Sequence, residues 1–309
     1  MKKKIFIDGK SGTTGLRIEE RLSKRDDIEI FSLSEELRKD YIARKKIINE
    51  SDIVFLCLPD DAAKEAVNMV ENPETVIIDT STAHRTNDDF AYGFPELGKE
   101  FEEKIKASNR ISVPGCHASG FIALVYPLIK NGFLSEEEKI TSFSITGYSG
   151  GGKKMISEYE NEKGILLNAP RQYGIGQNHK HIPEIVKVTG LKNKPIFCPV
   201  VSDFYSGMEM TIPLFNSQLK KGNIDDIKEL YRNIYNSKIV SFVEQNDENG
   251  FLSSAKLENY DSMTIEVYGN DERILLVSRY DNLGKGASGA AIECLNIKLG
   301  CDKTKGLEL

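Results

Sequence analysis

Nowhere in this sequence do apolar residues run on for the roughly 18 positions that a membrane-crossing helix needs, so no membrane partner is predicted. The opening MKKK is basic, but no apolar core follows it, and no signal peptide is read there. Cysteine is scarce and badly placed for a scaffold. Cys57, Cys116, Cys198, Cys294 and Cys301 are odd in number, widely spaced and form no CxxC. That argues against a disulfide framework and a structural zinc site, and points to a reducing cytoplasm. Only four histidines are present, too few for a His-rich metal centre, so no metal is expected. No long Lys/Arg block occurs, and 41 basic against 47 acidic residues leave a net charge of -6. Nucleic acid is therefore not an expected partner. Neither an internal repeat nor a low-complexity linker interrupts the chain.

What is present suits a globular protein. Of 309 residues, 39% are hydrophobic, enough for two domains with real cores. The first hundred residues alternate. KIFID (4–8), IEIFSL (28–33), DIVFLCLP (52–59) and TVIIDTS (75–81) read as strands. Between them lie helical stretches at 15–25, 37–50 and 60–71, with Leu16, Ile18 and Leu22 on one apolar face and Tyr41, Ile42, Ile47 and Ile48 on another. Uninterrupted apolar strands alternating with helices predict a doubly wound parallel sheet buried on both faces. The middle differs. A helix follows Gly115 and stops at Gly132, and 140–154 is a strand entering a glycine turn. Residues 195–215 read as one long extended stretch, in which Met208, Met210, Ile212 and Leu214 recur every second position. A hairpin is predicted over 262–280, and a helix over 284–300 with Gly300 as its stop. These imply a second, α+β domain with a mixed sheet.

The turn after the first strand, IFIDGKSGTTG, holds Gly9, Gly12 and Gly15. Glycines there permit a tight turn, and the helix N-terminus behind them offers free N–H groups to a pyrophosphate. Ser11, Thr13 and Thr14 add hydroxyl donors. This is the pattern of a Rossmann-type dinucleotide site, although a glycine-rich turn also occurs with no ligand. After the second strand come Ser32 and Ser34, where an acidic residue would mark NAD, and then Arg38 and Lys39. Glu35 and Glu36 make the pattern mixed. Hydroxyls beside cations favour a 2′-phosphate, hence NADP, although Arg38 and Lys39 would equally serve as a solvated helix face.

A lone cysteine is usually packing. Cys116 in VPGCHASG departs from that habit because it follows a Pro-Gly turn, opens a helix and follows the fifth strand-like segment, RISV. A helix start favours a thiolate, and the C-terminal edge of a parallel sheet is where ligands bind. Cys57, inside an apolar run, reads as core; Cys198 and Cys294 read as packing, and Cys301 as incidental. A nucleophilic thiolate needs a proton manager. His117 is its neighbour in sequence, so the two side chains are expected to diverge. His179 and His181 in NHKHIPEI point the same way if that stretch is extended, one toward the site and one orienting it. Ser81 and Arg85 in DTSTAHR, and Lys153 in GYSGGGKK, suit a bound anion.

These stretches together resemble the N-acetyl-γ-glutamyl-phosphate reductase family, in its shorter, type 2 branch. The resemblance rests on DGKSGTTG, DTSTAHR, YGFPEL, VPGCHASG, GYSGGGKKMI, APRQYGIGQNHKHIPEI, FYSGMEMTIPL and DNLGKGASGAA, in family order from residue 8 to residue 291. Departures are Lys10, whose side chain must point outward from the turn, and STAHR, where the longer branch carries Asp-Phe before the Arg. The resemblance implies an NADPH-dependent reductive dephosphorylation in arginine biosynthesis. Cys116 is then the nucleophile toward an acyl phosphate and His181, or His179, the general acid/base. Ser81, Arg85 and Lys153 hold substrate, and Asn282 and Gly284 border the cofactor. It also implies an NADP-binding domain of residues 1–116 and 285–309, a catalytic and oligomerisation domain of 117–284, and a homodimer or homotetramer built through the second sheet. Aspartate-semialdehyde dehydrogenase is the nearest rival, with a different cysteine motif. A carrier-linked lysine or ornithine pathway reductase would need a basic docking cluster. A non-catalytic NADP sensor would have no use for Cys116 and the HKH pair.

Overall fold

In a computed structural model, which describes residues 2–162 and 164–309, the chain forms two units, each with its own sheet. The first comprises the chain up to Pro95, Lys99–Gly115 and Ala287–Leu307; the second comprises Glu96–Gly98, Cys116–Gly286 and the last two residues.

The first unit runs β1 (Lys3–Asp8), α1 (Thr13–Ser23), β2 (Ile28–Phe31), α2 (Tyr41–Glu50), β3 (Ile53–Leu56), α3 (Asp60–Asn68), β4 (Val76–Asp79), β5 (Ala91–Tyr92), α4 (Lys99–Ala107) and β6 (Arg110–Ser112). All six strands are parallel, in the order β2-β1-β3-β4-β6-β5. β3 shows why the strands read as unbroken apolar runs. Ile53 and Phe55 enter one core with Ile18 and Leu22 of α1, while Val54 and Leu56 enter a second with Ile48, Ala63 and Ala66. RISV proves to be the sixth strand, not the fifth, because Ala91–Tyr92 pairs at the edge and is too short to carry a periodic signal.

The apolar stripe expected on α2 is only half right. The helix starts at Tyr41, with the Asp40 side chain accepting from the Ala43 N–H at 2.7 Å, and Tyr41 and Ile42 are 51% and 77% exposed. The residues it buries most deeply are Ile48 and Arg44. Arg44 turns inward to meet Asp8, its Nη2 and Nε lying 2.9 and 3.1 Å from one carboxylate oxygen, and its Nη1 meets Glu65 at 2.8 Å. Leu16 of α1 is likewise exposed, while Ile18 and Leu22 are core.

The second unit runs α5 (Cys116–Lys130), β7 (Thr141–Gly147), α6 (Gly152–Asn161), β8 (Arg171–Gln172), α7 (Ile182–Thr189), β9 (Ile196–Ser202), β10 (Met208–Phe215), α8 (Ile224–Ile234), β11 (Val240–Phe242), β12 (Met263–Gly269) and β13 (Arg273–Tyr280). The sheet is mixed, ordered β11-β12-β13-β10-β7-β9-β8. The stretch 195–215 is therefore two strands, separated in the sheet by β7. The break centres on Gly207, whose φ is +125° and where a Cβ would lie 2.4 Å from the Ser254 carbonyl oxygen. The expected alternation holds, with Met208, Met210, Ile212 and Leu214 all buried. α5 is apolar on nearly all sides, as a helix covered by other elements must be. On the sheet's other face, Arg279 is fully buried. It is paired at 3.0 Å with both oxygens of Glu266 and at 2.9 Å with Glu248, which ties down the segment 244–261.

The chain ends with a π-turn over Gly284–Ser288 and α9 (Gly289–Leu299), which packs Ala291, Cys294 and Leu295 into the α1 side of the first unit's core and stops at Gly300. Among the described residues no helix is long and apolar enough to cross a membrane.

Because Asp8 and Arg44 are both buried, removing one strands the other. Arg44→Met is expected to lower unfolding stability by about 3–5 kcal/mol, read from urea denaturation; an unchanged midpoint would show that water already relieves the pair.

Candidate active site

At the turn after β1 the three glycines serve one geometry. Gly9 has φ +83°, and a Cβ there would lie 2.3 Å from the Cys57 carbonyl oxygen; at Gly15 it would lie 2.7 Å from the Gly9 oxygen. The Gly12 N–H closes the turn onto the Gly9 carbonyl at 3.0 Å, and Gly12 precedes α1 with no side-chain cap. The first amides of α1 are thus left for a ligand. A cavity of about 310 Å³ opens beside the turn, lined among others by Asp8, Gly9, Ser11, Gly12, Arg38 and Lys39. Thr13, Thr14 and Gly15 form the first turn of α1 itself. The Lys10 amine is drawn to Glu19 on α1, 3.3 Å away. Arg38 pairs with Glu35 at 2.9 Å, and Ser34 contributes its carbonyl, which accepts from the Leu37 and Arg38 N–H groups. Cys57, read as pure core, is half-buried: it packs against the core and lines the cavity, and burial pushes its thiol up to about 12.

DTSTAHR forms a buried network that the sequence did not announce. Asp79 accepts from the Ser81 hydroxyl at 2.8 Å and lies 2.7 Å from His84 Nδ1, while the His84 ring stacks on Phe90. Arg85 donates to the carbonyls of Val113 and Thr80 at 2.9 and 2.8 Å. At least two of its nitrogens thus grip backbone within the first unit.

In the second unit Cys116 opens α5, half-buried and not disulfide-bonded. The Tyr280 hydroxyl donates to the Cys116 carbonyl at 2.7 Å and accepts from the Gly120 N–H at 3.1 Å, bridging the two groups that a first helical turn pairs. Only glycine fits at 120, where a Cβ would lie 2.5 Å from that hydroxyl. Gly286 presses on the same turn; a Cβ there would lie 3.1 Å from Cys116 Cβ.

His117 is buried. Its Nδ1 lies 2.7 Å from Ser144 Oγ and its Nε2 2.6 Å from Tyr173 Oη. Burial, with smaller contributions from His179 and Lys180, drives its pKa down to about 3. The HKH segment is a turn rather than an extended strand, yet it still brings its rings together. His179 and His181 have centroids 4.8 Å apart, and each lies under 6 Å from His117. Gln177 fixes this segment by exchanging hydrogen bonds with the Phe197 backbone at 2.8 and 2.9 Å. His179 Nδ1 accepts from the His181 N–H at 3.3 Å, so a neutral His179 carries its proton on Nε2. Burial, then Lys180, lowers its pKa to about 4. His181 is buried at the start of α7.

Asn282 is committed within the second unit, accepting from the Gly207 N–H at 2.9 Å and donating to Ser149 Oγ at 3.0 Å. Gly284 passes under the Tyr260 carbonyl, where a Cβ would lie at 2.1 Å. Lys153 is exposed at the start of α6. The residues that the sequence reading missed are Tyr173, Ser144 and Tyr280. Only the inward alternation of Ser142, Ser144 and Thr146 on β7 hinted at a polar inner face. Among the described residues no cluster of three or more His, Cys, Asp or Glu is placed to hold a metal.

Two family models match: the semialdehyde dehydrogenase NAD binding domain over residues 4–107, and the semialdehyde dehydrogenase dimerisation domain over residues 116–282. N-acetyl-gamma-glutamyl-phosphate reductase 2 of Nostoc sp. is 42% identical, covering 99% of both chains; the N-acetyl-gamma-glutamyl-phosphate reductase of Chelativorans sp. is 41% identical over 97% of this chain and 99% of its own. The chain belongs to the N-acetyl-γ-glutamyl-phosphate reductase family. Its glycine turn therefore lies in a nicotinamide-dinucleotide-binding domain. Solved structures agree on the fold. Aspartate semialdehyde dehydrogenase II of Vibrio cholerae superposes with a TM-score of 0.75 at 15% identity, covering 97% of this chain and 99% of its own. The Francisella tularensis enzyme superposes with 0.73 at 15%, covering 96% and 99%.

His117 makes stability depend on pH. Its folded pKa, about 3, lies below its ordinary 6.5, so between those values the unfolded chain binds the extra proton. Its contribution is complete above pH 6.5 and is lost as pH falls toward 3. Urea midpoints should decline across that window, and more shallowly in His117→Asn; parallel slopes would contradict it.

Proposed function

We propose that this chain converts N-acetyl-γ-glutamyl phosphate to N-acetylglutamate 5-semialdehyde with NADPH, a step of arginine biosynthesis in the cytoplasm. The observation that carries the reading is Cys116 at the opening of α5, next in sequence to His117, whose ring clusters with those of His179 and His181, in a chain 42% identical to a reductase of that name. The first unit is the coenzyme domain and the second the catalytic one.

A helix N-terminus favours the Cys116 thiolate. The thiolate attacks the acyl phosphate carbonyl; the carbon–oxygen bond to phosphate breaks, inorganic phosphate departs, and a thioester remains. A nicotinamide coenzyme, held by the glycine turn of the first unit, would supply the hydride that reduces this thioester. The resulting tetrahedral oxyanion collapses, breaking the carbon–sulfur bond to release aldehyde and thiolate. His181 manages protons at the sulfur and the oxyanion. His179, already protonated at Nε2, is a hydrogen-bond donor to substrate rather than a base. Lys153 supplies a cation for the substrate's carboxylate or phosphate; Ser81 and Arg85 join it only by releasing Asp79 and the Val113 and Thr80 carbonyls that they now hold. In the coenzyme domain, Gly9, Gly12 and Gly15 admit the pyrophosphate to the α1 amides. Ser11, Thr13 and Thr14 add hydroxyls, and Asn282 and Gly284 shape the segment bordering the nicotinamide. Lys39 and Arg38, with Ser34, favour the 2′-phosphate of NADP, and Arg38 must leave Glu35 to reach it.

The chain is also proposed to form a homodimer or homotetramer through the outer face of the second sheet. Phe143, Ile196, Phe215 and Leu275 are exposed there, and register puts Phe143 opposite Thr211 and Pro213 opposite Leu275. Phe143→Asp should shift the protein toward monomer in sedimentation velocity; an unchanged mass would place the interface elsewhere.

The assay that tests the activity runs in reverse, offering N-acetylglutamate semialdehyde and aspartate semialdehyde with phosphate and either NADP or NAD. Turnover is expected with the first aldehyde and NADP, and Cys116→Ser should reduce it at least ~10³-fold. Preference for aspartate semialdehyde or for NAD would overturn the substrate or coenzyme assignment.

A further inference from the structure

The start of α5 is gripped by a short stretch at the end of β13. Tyr280 closes that strand and is fully buried, and its hydroxyl has one possible polarity. The Cys116 carbonyl can only accept, so the hydroxyl donates to it at 2.7 Å. The Gly120 N–H can only donate, so the hydroxyl accepts from it at 3.1 Å. Both ends of this bridge are backbone, so the tyrosine acts on where the first helical turn lies.

Beyond Tyr280 the chain comes back to the same turn. At Gly286 a Cβ would lie 3.1 Å from the Cys116 Cβ and 3.1 Å from the Asp281 carbonyl oxygen. These two neighbours are not equally free to move. Asp281 is fully buried, and its carbonyl accepts from the Gly284 and Gly286 N–H groups, each at 3.0 Å. One carboxylate oxygen accepts from the Leu283 N–H at 2.7 Å. The other accepts from the Asn259 N–H at 2.6 Å and the Ser206 hydroxyl at 3.1 Å. Lys285, also buried, meets both oxygens of Glu96 at 2.8 Å. The turn is thus fixed from behind, and a load placed between it and α5 falls on Cys116.

We infer that the segment Tyr280–Gly286 sets the position of Cys116 for reaction. Tyr280 and Gly286 are positioning residues. One fixes the Cys116 carbonyl, the other backs its Cβ, and the role of each is exerted through Cys116. A nucleophile shifted by a fraction of an ångström loses rate, because attack needs the reacting atoms about 3–3.5 Å apart and aligned. The proposal rests on the reading of Cys116 as the nucleophile toward the acyl phosphate.

The test is a single turnover with phosphate withheld. N-acetylglutamate semialdehyde and NADP are mixed with the whole protein. The Cys116 thiolate adds to the aldehyde carbon, that carbon gives its hydride to NADP, and the reaction halts at the thioester after one NADPH per site. Tyr280→Phe, which deletes only the hydroxyl, should slow this burst at least ~10-fold. Its amplitude and half-saturating aldehyde concentration should stay within ~2-fold of the unsubstituted protein, since the groups that bind substrate are untouched. Gly286→Ala should slow the burst ~5-fold or more, and decides the matter if Tyr280→Phe does not fold. An unchanged burst rate in folded Tyr280→Phe, or in Gly286→Ala where that variant stands in, overturns the proposal. It does so even if the urea midpoint falls, because the contact would then be structural alone. No burst from the unsubstituted protein with either NADP or NAD overturns instead the reading on which the proposal rests.

Discussion

Burying an imidazole costs least when both of its nitrogens are hydrogen-bonded, and the second unit meets that condition at His117. Ser144 on β7 meets one nitrogen and Tyr173, beyond β8, meets the other. Holding Tyr173 requires the segment 173–181 to lie along β9, and Gln177 secures it there. That segment then delivers His179 and His181 next to the turn that carries Cys116. One buried ring thus links the helix that Cys116 opens, two sheet strands and the histidine pair. Burial keeps the ring uncharged at neutral pH.

The same rule governs the first unit. Asp8 ends β1 just before the glycine turn, and burial pushes its carboxyl above the ordinary carboxylate range against the pull of Arg44. α2 meets that demand by turning Arg44 inward, at the expense of Tyr41 and Ile42, which face water. The helix therefore contradicts its own apolar pattern to satisfy a charge at the end of the neighbouring strand. Steric limits do the rest. Gly9 and Gly15 let α1 begin so close to β1 and to Cys57 that any side chain would collide.

Close approach also shapes the helix that Cys116 opens. Gly120 lets α5 settle onto β13, so that Tyr280 can bridge the first turn from below. The helix start, the feature expected to favour a thiolate, is thus held by a hydroxyl about 160 residues away in sequence. Arg279, next to Tyr280 on β13, points to the opposite face of the sheet. There it is saturated by Glu266 and Glu248, leaving the apolar residues of β7, β9 and β10 as the open part of that face.

Periodicity and glycine spacing carried most of the architecture. Apolar runs bounded by turns marked the parallel strands, period-two alternation marked β10, and the glycine turn, the Pro-Gly-Cys helix start and HKH marked the chemistry. These are local signals, because backbone conformation and amphipathic patterning are set by residues a few positions apart. The two-residue strand β5, the split of 195–215 and the inward turn of Arg44 were not legible, since each answers to a partner distant in sequence. Nor were Tyr173, Ser144 and Tyr280. A tyrosine or a serine carries no signature until a buried nitrogen or carbonyl is brought within 3 Å of it. The sequence by itself determined the family and where the cysteine and histidine side chains stand along the chain. Only the tertiary structure decided which nitrogens of those histidines are occupied, because that depends on hydrogen-bond partners supplied by other strands and loops.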